Sequence, residues 1–272
     1  MQLNNWQPAP NTGVIFLPQQ DGQGDTNTAT KNNISTASDH PQVQHWQWLN
    51  QVHSNKVCSI KADSIKTGGA EAGSTETRSI ETGSIKASDT KLAAELPAAD
   101  GLHTADPGLA LCILSADCLP ILLAAINQDT GEATEIGIVH AGWRGLASGV
   151  IENCLTRFRA APDTITAMLG PAIGPCHFEV GEDVLAAFQQ QTPEYMLQSC
   201  FKPGTKSGKY LADLHGLSRW RLHQAGVIYI DSDERCTYCN KDRNNARNND
   251  QLLSYRRDPH CGRMLSAIYL RP

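Results

Sequence analysis

LALCILSADCLPILLAAI, residues 109–126, is the stretch whose reading decides the fold. Its length and apolar character first suggest a membrane span. Ser115, Asp117 and Pro120 interrupt it, and one aspartate at a bilayer centre costs about 2.5–3.5 kcal/mol. Two short apolar runs, 109–114 and 121–126, remain on either side of SADCLP, and they have the length of buried strands.

Working outward, residues 136–139 form another apolar run, which puts His140 at a strand end. After GIVHAGWRG, the residues Val150, Ile151, Cys154, Leu155 and Phe158 recur at helical spacing, so a helix is expected to start near 147–149. Residues 165–169 read as a strand and GPAIGP as a turn. Val184, Leu185 and Phe188 mark the buried side of a second helix. Leu211, Leu214, Leu217 and Trp220 suggest a third helix, ended at Gly226 before the strand VIYI, and residues 264–270 close the chain as a last strand. Strands and helices mix without strict βαβ alternation, and two strands are joined by a short loop. That pattern predicts an α+β sandwich rather than a doubly wound sheet.

A chain of 272 residues with 40% hydrophobic content can bury a substantial core, and one domain spanning 1–272 is the expectation. Residues 19–41 and 62–91 are polar, rich in Gly, Ser and Thr, and read as loops or insertions within it. The second holds the degenerate repeat SIKTGG, SIETGS, SIKASD, too short and polar to be a solenoid unit.

A net charge of -5 and a pI near 6.0 give no surplus with which to neutralise a phosphate backbone, so small-molecule substrates are favoured over nucleic acid. The N-terminal residues carry no basic segment, apolar stretch or lipidation motif, and a cytoplasmic location without membrane attachment is expected. Nine dispersed cysteines, an odd number, point to reduced thiols rather than a disulfide framework. The polar loops offer no hydrophobic anchor for a protein partner.

WLNQVHSNKV, LSADCLPILL and GIVHAGWRGLASG each set a chemically capable side chain beside a strand end or tight loop. A thiolate and two imidazoles suit a borderline-soft cation, and a catalytic zinc takes three protein ligands and leaves one position open. Cys118, His53 and His140 could supply that set, although nine His and nine Cys offer many such triples. The blocks WLNQVH, ADG, SADC, HAGWRG, GPAIGPC and SYRRD…GRM, from about Trp48 to Leu270, resemble in order those of the laccase-domain family. That family is also called the YfiH-like, polyphenol-oxidase or peptidoglycan-editing family.

The resemblance implies an αββα sandwich and a zinc ion held by His53, Cys118 and His140. It also implies purine nucleoside phosphorylase activity on adenosine, inosine and methylthioadenosine, with adenosine deamination or editing of peptidoglycan precursors as further activities. The chain departs from the family pattern in its 62–91 insertion and in NKDRNNARNNDQLLSYRRD, where a shorter link and an aromatic pair are usual.

In the phosphorylase reading, Cys118 and His140 serve the catalytic centre. Asp117 orients a ligand, acts as general acid or base, or caps a turn. Arg144, just before the expected helix, either binds phosphate or is a surface arginine paired with Glu152. Asp100 is a turn residue or a partner that orients a ligand. Arg256 and Arg257 meet substrate or form a salt bridge. Cys236 and Cys239 of CTYC, with His260 and Cys261, have spacing that permits a second zinc, but adjacent side chains on one ion count against it.

Three rival classes follow from the same residues. Cys118 and His140 could be the nucleophile and base of a metal-free cysteine hydrolase or amidase. A His, Cys, His set also suits copper and polyphenol oxidation, but no His-x-His pair is present and Met168, Met196 and Met264 lie far from Cys118 in sequence. A non-enzymatic zinc module that binds a partner through its long loops is the third.

Overall fold

The computed structural model describes residues 2–17, 40–62, 96–240 and 252–272. Apart from His40, Pro41 and Ala62, the two polar stretches 19–41 and 62–91 lie outside these residues, as does most of the 240–258 departure. The elements are β1 (Thr12–Leu17), β2 (His45–Gln47), β3 (Val57–Ser59), β4 (Gly101–Thr104), β5 (Leu109–Ser115), β6 (Leu119–Ile126), β7 (Ala133–Ala141), α1 (Trp143–Ala147), α2 (Val150–Leu155), β8 (Ile165–Leu169), β9 (Glu179–Gly181), α3 (Glu182–Gln189), α4 (Glu194–Cys200), β10 (Phe201–Pro203), β11 (Lys209–Ala212), α5 (Leu214–Gln224), β12 (Tyr229–Ser232) and β13 (Met264–Leu270).

The two strands of the 109–126 stretch do not pair with each other. β5 belongs to a four-stranded sheet of order β1-β13-β5-β2, and β6 to a six-stranded sheet of order β12-β8-β6-β7-β4-β3. The three residues between them, Ala116 to Cys118, carry the chain from one sheet to the other. This explains the unbroken apolar character on both sides of the loop. Leu109, Leu111 and Ile113 of β5 meet Leu122, Ala124, Ile136, Ile138 and Ile268 in a core between the sheets. Ala110, Cys112 and Leu114 face the other way, against Trp46, Trp48 and Tyr269. On β6, Ile121, Leu123 and Ala125 turn from the inter-sheet core toward Val150, Ile151 and Leu217 of the helices. A strand buried on both faces needs no polar alternation, and each fully buried Leu or Ile contributes about 1.5–3 kcal/mol.

The layers are therefore helices, a six-stranded sheet and a four-stranded sheet, a mixed α/β architecture that supplies three of the four layers of an αββα sandwich. Val43, Trp46, Trp48 and Leu96 cover the outer face of the four-stranded sheet, and no helix does so among the described residues. A small antiparallel sheet, β10-β11-β9, is hydrogen-bonded to neither, and its Val180, Phe201 and Ala212 join the core on the helix side of the six-stranded sheet. No helix among the described residues is long and apolar enough to cross a membrane.

The helix expected to start near 147–149 is α2, which begins after Gly149 and buries Val150, Ile151, Cys154 and Leu155; the short helix α1 precedes it. Two other local expectations are corrected. Leu211 lies in β11 rather than in the third helix, because Asp213 caps that helix by accepting a hydrogen bond from the Gly216 N–H at 3.0 Å. The strand read as VIYI starts two residues later, at Tyr229. The buried guanidinium of Arg221 ties α1, α2 and α5 together, bonding Glu152 Oε1 at 2.6 Å, Leu146 O at 2.8 Å and Gln191 Oε1 at 2.8 Å.

Candidate metal centre

One end of the six-stranded sheet gathers three segments. β6 and β7 are antiparallel, with Leu119 opposite Ala141 and Pro120 opposite His140, so the residue before β6 lies beside the end of β7. β3 and β4 are parallel, with Val57 opposite Gly101, which brings the loop before β3 to the start of β4. β4 pairs with β7, Gly101 opposite Val139, and closes the group.

His53, Cys118 and His140 meet there, with one donor atom from each lying within 4.8 Å of the others. Cys118 Sγ is 3.9 Å from His53 Nε2, and the two imidazole rings are 4.9 Å apart, edge to face. His140 is buried, Cys118 partly buried and His53 exposed. His53 and Asp117 are the non-glycine residues with positive φ among the described residues, at 57° and 92°. Such conformations cost about 1–3 kcal/mol each and persist where the surroundings enforce them. His53 is a member of the cluster and Asp117 directly precedes Cys118.

Asp100, fully buried, organises the site from behind. Its Oδ1 lies 2.9 Å from Nδ1 of His140, while its Oδ2 accepts hydrogen bonds from Ser54 N at 2.5 Å and Ser54 Oγ at 2.9 Å. His140 also donates its backbone N–H to Asp100 O at 2.8 Å. One carboxylate thus orients an imidazole and holds the loop that carries His53. Burial pushes the Asp100 carboxyl up, but the bonds to His140 and Ser54 outweigh it and hold its pKa below the usual value.

Gly142 follows the same logic of space. A Cβ there would sit 3.0 Å from His53 Cδ2 and 3.1 Å from Cys118 Sγ. The HAGWRG block therefore needs its first glycine so that thiol and imidazole can occupy this volume.

The electrostatics favour a thiolate. Burial raises the Cys118 pKa, yet the neighbouring His140 charge and hydrogen bonds to His140 and His53 bring it down from 9.0 to about 6. Burial likewise disfavours charge on His140, but the Cys118 thiolate and the Asp100 carboxylate raise its pKa from 6.5 to about 9. A thiolate and two imidazoles around one point are the donor set of a three-ligand zinc site, and the residues fit that ion.

Asp117 turns its carboxylate away from this set. Its Oδ1 accepts from Thr237 Oγ1 at 2.6 Å and its Oδ2 from Arg256 N at 2.7 Å. Arg144 is exposed, stacks 4.3 Å over the Trp143 ring and makes no ion pair among the described residues; Glu152 pairs with Arg221 instead. The helix at Arg144 is five residues long, so any anion binding there rests on the guanidinium itself. Arg256 and Arg257 donate to backbone carbonyls, Glu179 O at 3.0 Å and Thr237 O at 2.7 Å respectively, and form no salt bridge among the described residues.

Reading the sequence left Ser54 and Gly142 out of the site. Neither type signals a role by itself, because each acts through the position of its backbone. The CTYC cysteines also have different neighbours from those expected. Cys176 and His177, not His260 and Cys261, stand beside Cys236 and Cys239. The adjacent Cys-His pair after GPAIGP was the available signal.

Known proteins share both the sequence and the fold. A family model described as multi-copper polyphenol oxidoreductase laccase matches residues 17–271. Purine nucleoside phosphorylase YfiH of Escherichia coli is 41% identical over 172 residues, which span 63% of this chain and 64% of the relative. Purine nucleoside phosphorylase YlmD of Geobacillus stearothermophilus is 35% identical over 185 residues, 65% of this chain and 61% of the relative. The match thus spans less than two thirds of the length of these curated relatives. Among solved structures, the Neisseria meningitidis protein NMB0706 superposes with a TM-score of 0.72 at 30% identity, covering 99% of this chain and 98% of its own. YlmD from G. stearothermophilus gives a TM-score of 0.72 at 26% identity, with 97% and 94% covered. The chain therefore belongs to the multi-copper polyphenol oxidoreductase laccase family, the laccase-domain or YfiH-like family that its sequence blocks resemble.

Proposed function

We propose that this protein is a single-domain, zinc-dependent purine nucleoside phosphorylase acting on adenosine, inosine and methylthioadenosine, with adenosine deamination as a second activity of the same site. The observation that carries the reading is the convergence of His53, Cys118 and His140 within 4.8 Å, backed by the Asp100 carboxylate at 2.9 Å from His140. The names of the E. coli and G. stearothermophilus relatives support the substrate class.

Phosphorolysis breaks the bond from C1′ to the purine nitrogen and forms one from C1′ to a phosphate oxygen, through a transition state with positive charge on the sugar. A zinc ion held by His53, Cys118 and His140 would supply Lewis acidity and a fixed positive charge at the reacting oxygen. The chain's own residues do the positioning. Asp100 accepts a hydrogen bond from Nδ1–H of His140 and so leaves Nε2 as the nitrogen offered to the site. Arg144 neutralises phosphate charge, and its stack on Trp143 limits the conformations it must give up on binding. Asp117, held by Thr237 and Arg256, fixes the backbone that presents Cys118.

Copper and polyphenol oxidation are less well supported. Met168 packs in the inter-sheet core and Met264 Sδ accepts from Leu253 N at 3.4 Å, so neither serves as an axial ligand. A cysteine hydrolase with Cys118 as nucleophile and His140 as base is the second reading, favoured by the hydrogen bond between that thiol and the His140 imidazole.

The test is release of the free purine base and the matching sugar 1-phosphate (5-methylthioribose 1-phosphate in the case of methylthioadenosine) from adenosine, inosine, guanosine and methylthioadenosine, with and without phosphate, before and after metal removal. Activity is expected to vanish on chelation and return with zinc, and to be lost together with metal in Cys118→Ala and His140→Ala. Full phosphorolysis in metal-free protein would overturn the zinc dependence, and phosphate-independent turnover in metal-free protein, abolished by alkylation of Cys118, would replace the phosphorylase reading with the hydrolase one.

A further inference from the structure

We propose that Cys176, His177, Cys236 and Cys239 form a second metal site, a closed four-ligand zinc centre that is structural and distinct from the His53, Cys118, His140 site. The four donor atoms lie within 4.8 Å of one another. Cys176 Sγ is 3.4 Å from Cys239 Sγ, and Cys239 Sγ is 3.2 Å from His177 Nδ1. With sulfur at about 2.3 Å and nitrogen at about 2.0–2.1 Å from zinc, a tetrahedron has donor-to-donor edges of about 3.5–3.8 Å. These two pairs need only small outward shifts to reach those edges.

The surroundings are arranged for thiolate ligands. The Gly174 N–H donates to Cys236 Sγ at 3.2 Å, the kind of outer bond that orients a metal-bound sulfur. A side chain at position 174 would meet Cys236 Cβ at 3.2 Å and the sulfurs of Cys176 and Cys236 at 3.4 Å. Glycine at this position leaves that space to the sulfurs. The His177 ring stacks on Tyr238 at 4.0 Å, with planes 19° apart, which fixes the direction of its donor nitrogen.

Neighbouring residues share one ion poorly on a strand, where successive side chains point to opposite faces. Cys176 and His177 are in a turn. The N–H groups of His177 and Phe178 both donate to Gly174 O at 3.0 Å, curling the backbone so that both side chains reach Cys239. Three sulfurs and one imidazole nitrogen in a tetrahedral arrangement select zinc over harder cations, and four protein ligands leave no position for substrate.

The site's place in the fold gives it a task. Cys236 and Cys239 bracket Thr237, whose hydroxyl bonds Asp117 next to Cys118. His177 lies under Arg256, whose NH1 donates to His177 O at 3.4 Å and whose backbone N–H holds the other Asp117 oxygen. An ion joining the 174–178 turn to the 236–240 turn would therefore brace Asp117, and through it the loop that carries Cys118, without contributing a ligand to the first site. This inference stands on ligand geometry and does not depend on the phosphorylase reading.

The experiment is elemental analysis of the full-length protein after zinc loading and desalting, beside Cys176→Ala, Cys239→Ala and His140→Ala. Two zinc ions per chain are expected in the parent, one in each single variant, and none in Cys239→Ala combined with His140→Ala. Because a variant could fail to fold, the parent protein supplies a second readout. Alkylation of Cys176, Cys236 and Cys239, followed by peptide mapping, should be slow in the zinc-loaded protein and fast once a chelator is added. A single zinc that His140→Ala removes entirely, equal alkylation with and without zinc, or a Cys176–Cys239 disulfide in the peptide map would each overturn the second site.

Discussion

Nδ1 of His140 lies 2.9 Å from Oδ1 of Asp100, and the second oxygen of that carboxylate holds Ser54, next to His53. The pairing favours a proton on Nδ1, which leaves Nε2 as the nitrogen that can bind a cation once it gives up its own proton.

Asp100→Asn removes the charge that favours this tautomer while keeping the shape of the side chain. Outer partners of this kind are worth about 10–100-fold in metal affinity. Zinc affinity, measured by competition with a chromophoric chelator, should fall by about that factor. An unchanged affinity in a folded variant would reduce Asp100 to a turn residue.

Gly142→Ala tests the cradle separately from the ligands. Position 142 has φ -68°, which alanine adopts without strain, so its effect must come from the Cβ placed 3.0–3.1 Å from His53 and Cys118. A displacement of about 1 Å at a catalytic group can cost ~10²-fold in rate. Phosphorolysis is expected to drop by about tenfold or more, with little change in melting temperature. Parent-like rates would show that the site tolerates crowding.

The Cys118 thiol, brought down from 9.0 to about 6, is mainly thiolate above pH ~6 and protonated below it. In metal-free protein, alkylation of Cys118 followed by peptide mapping should therefore rise to half its maximum near pH 6. Cys154, pushed up to about 12 by burial, stays unreactive across the same range. A Cys118 profile centred near pH 9 would contradict the charge arrangement.

Arg144→Ala should raise the KM for phosphate by about tenfold, the loss of one charge-assisted contact worth about 1.5–3 kcal/mol at most, and leave the nucleoside KM nearly unchanged. Equal shifts in both constants would assign Arg144 to general binding. No shift at all would leave it as a solvated arginine stacked on Trp143.

Much of the fold was legible in the sequence because local rules govern its central strands. Apolar runs at 109–114, 121–126, 165–169 and 264–270 match strands to within a few residues, since a strand buried on both faces must be apolar throughout. The reading faltered where a local device overrode periodicity. Asp213 caps α5, so the apolar spacing that includes Leu211 runs past the start of that helix.

His53, Cys118 and His140 could be named in advance only through the order of their sequence blocks, because spacing by itself allows many His and Cys triples. What the sequence determined was the apolar patterning of the strands and the supply of soft donor residues beside strand ends. What only the tertiary structure decided was which donors meet. The step of the chain from one sheet to the other at Ala116 to Cys118, and the pairing of β3, β4, β6 and β7, bring residues 53, 118 and 140 to one end of the six-stranded sheet. The same folding sets Cys176 and His177, rather than His260 and Cys261, beside the CTYC cysteines. Sheet order and register are non-local: hydrogen bonds between distant strands fix them, and no window of sequence contains both partners.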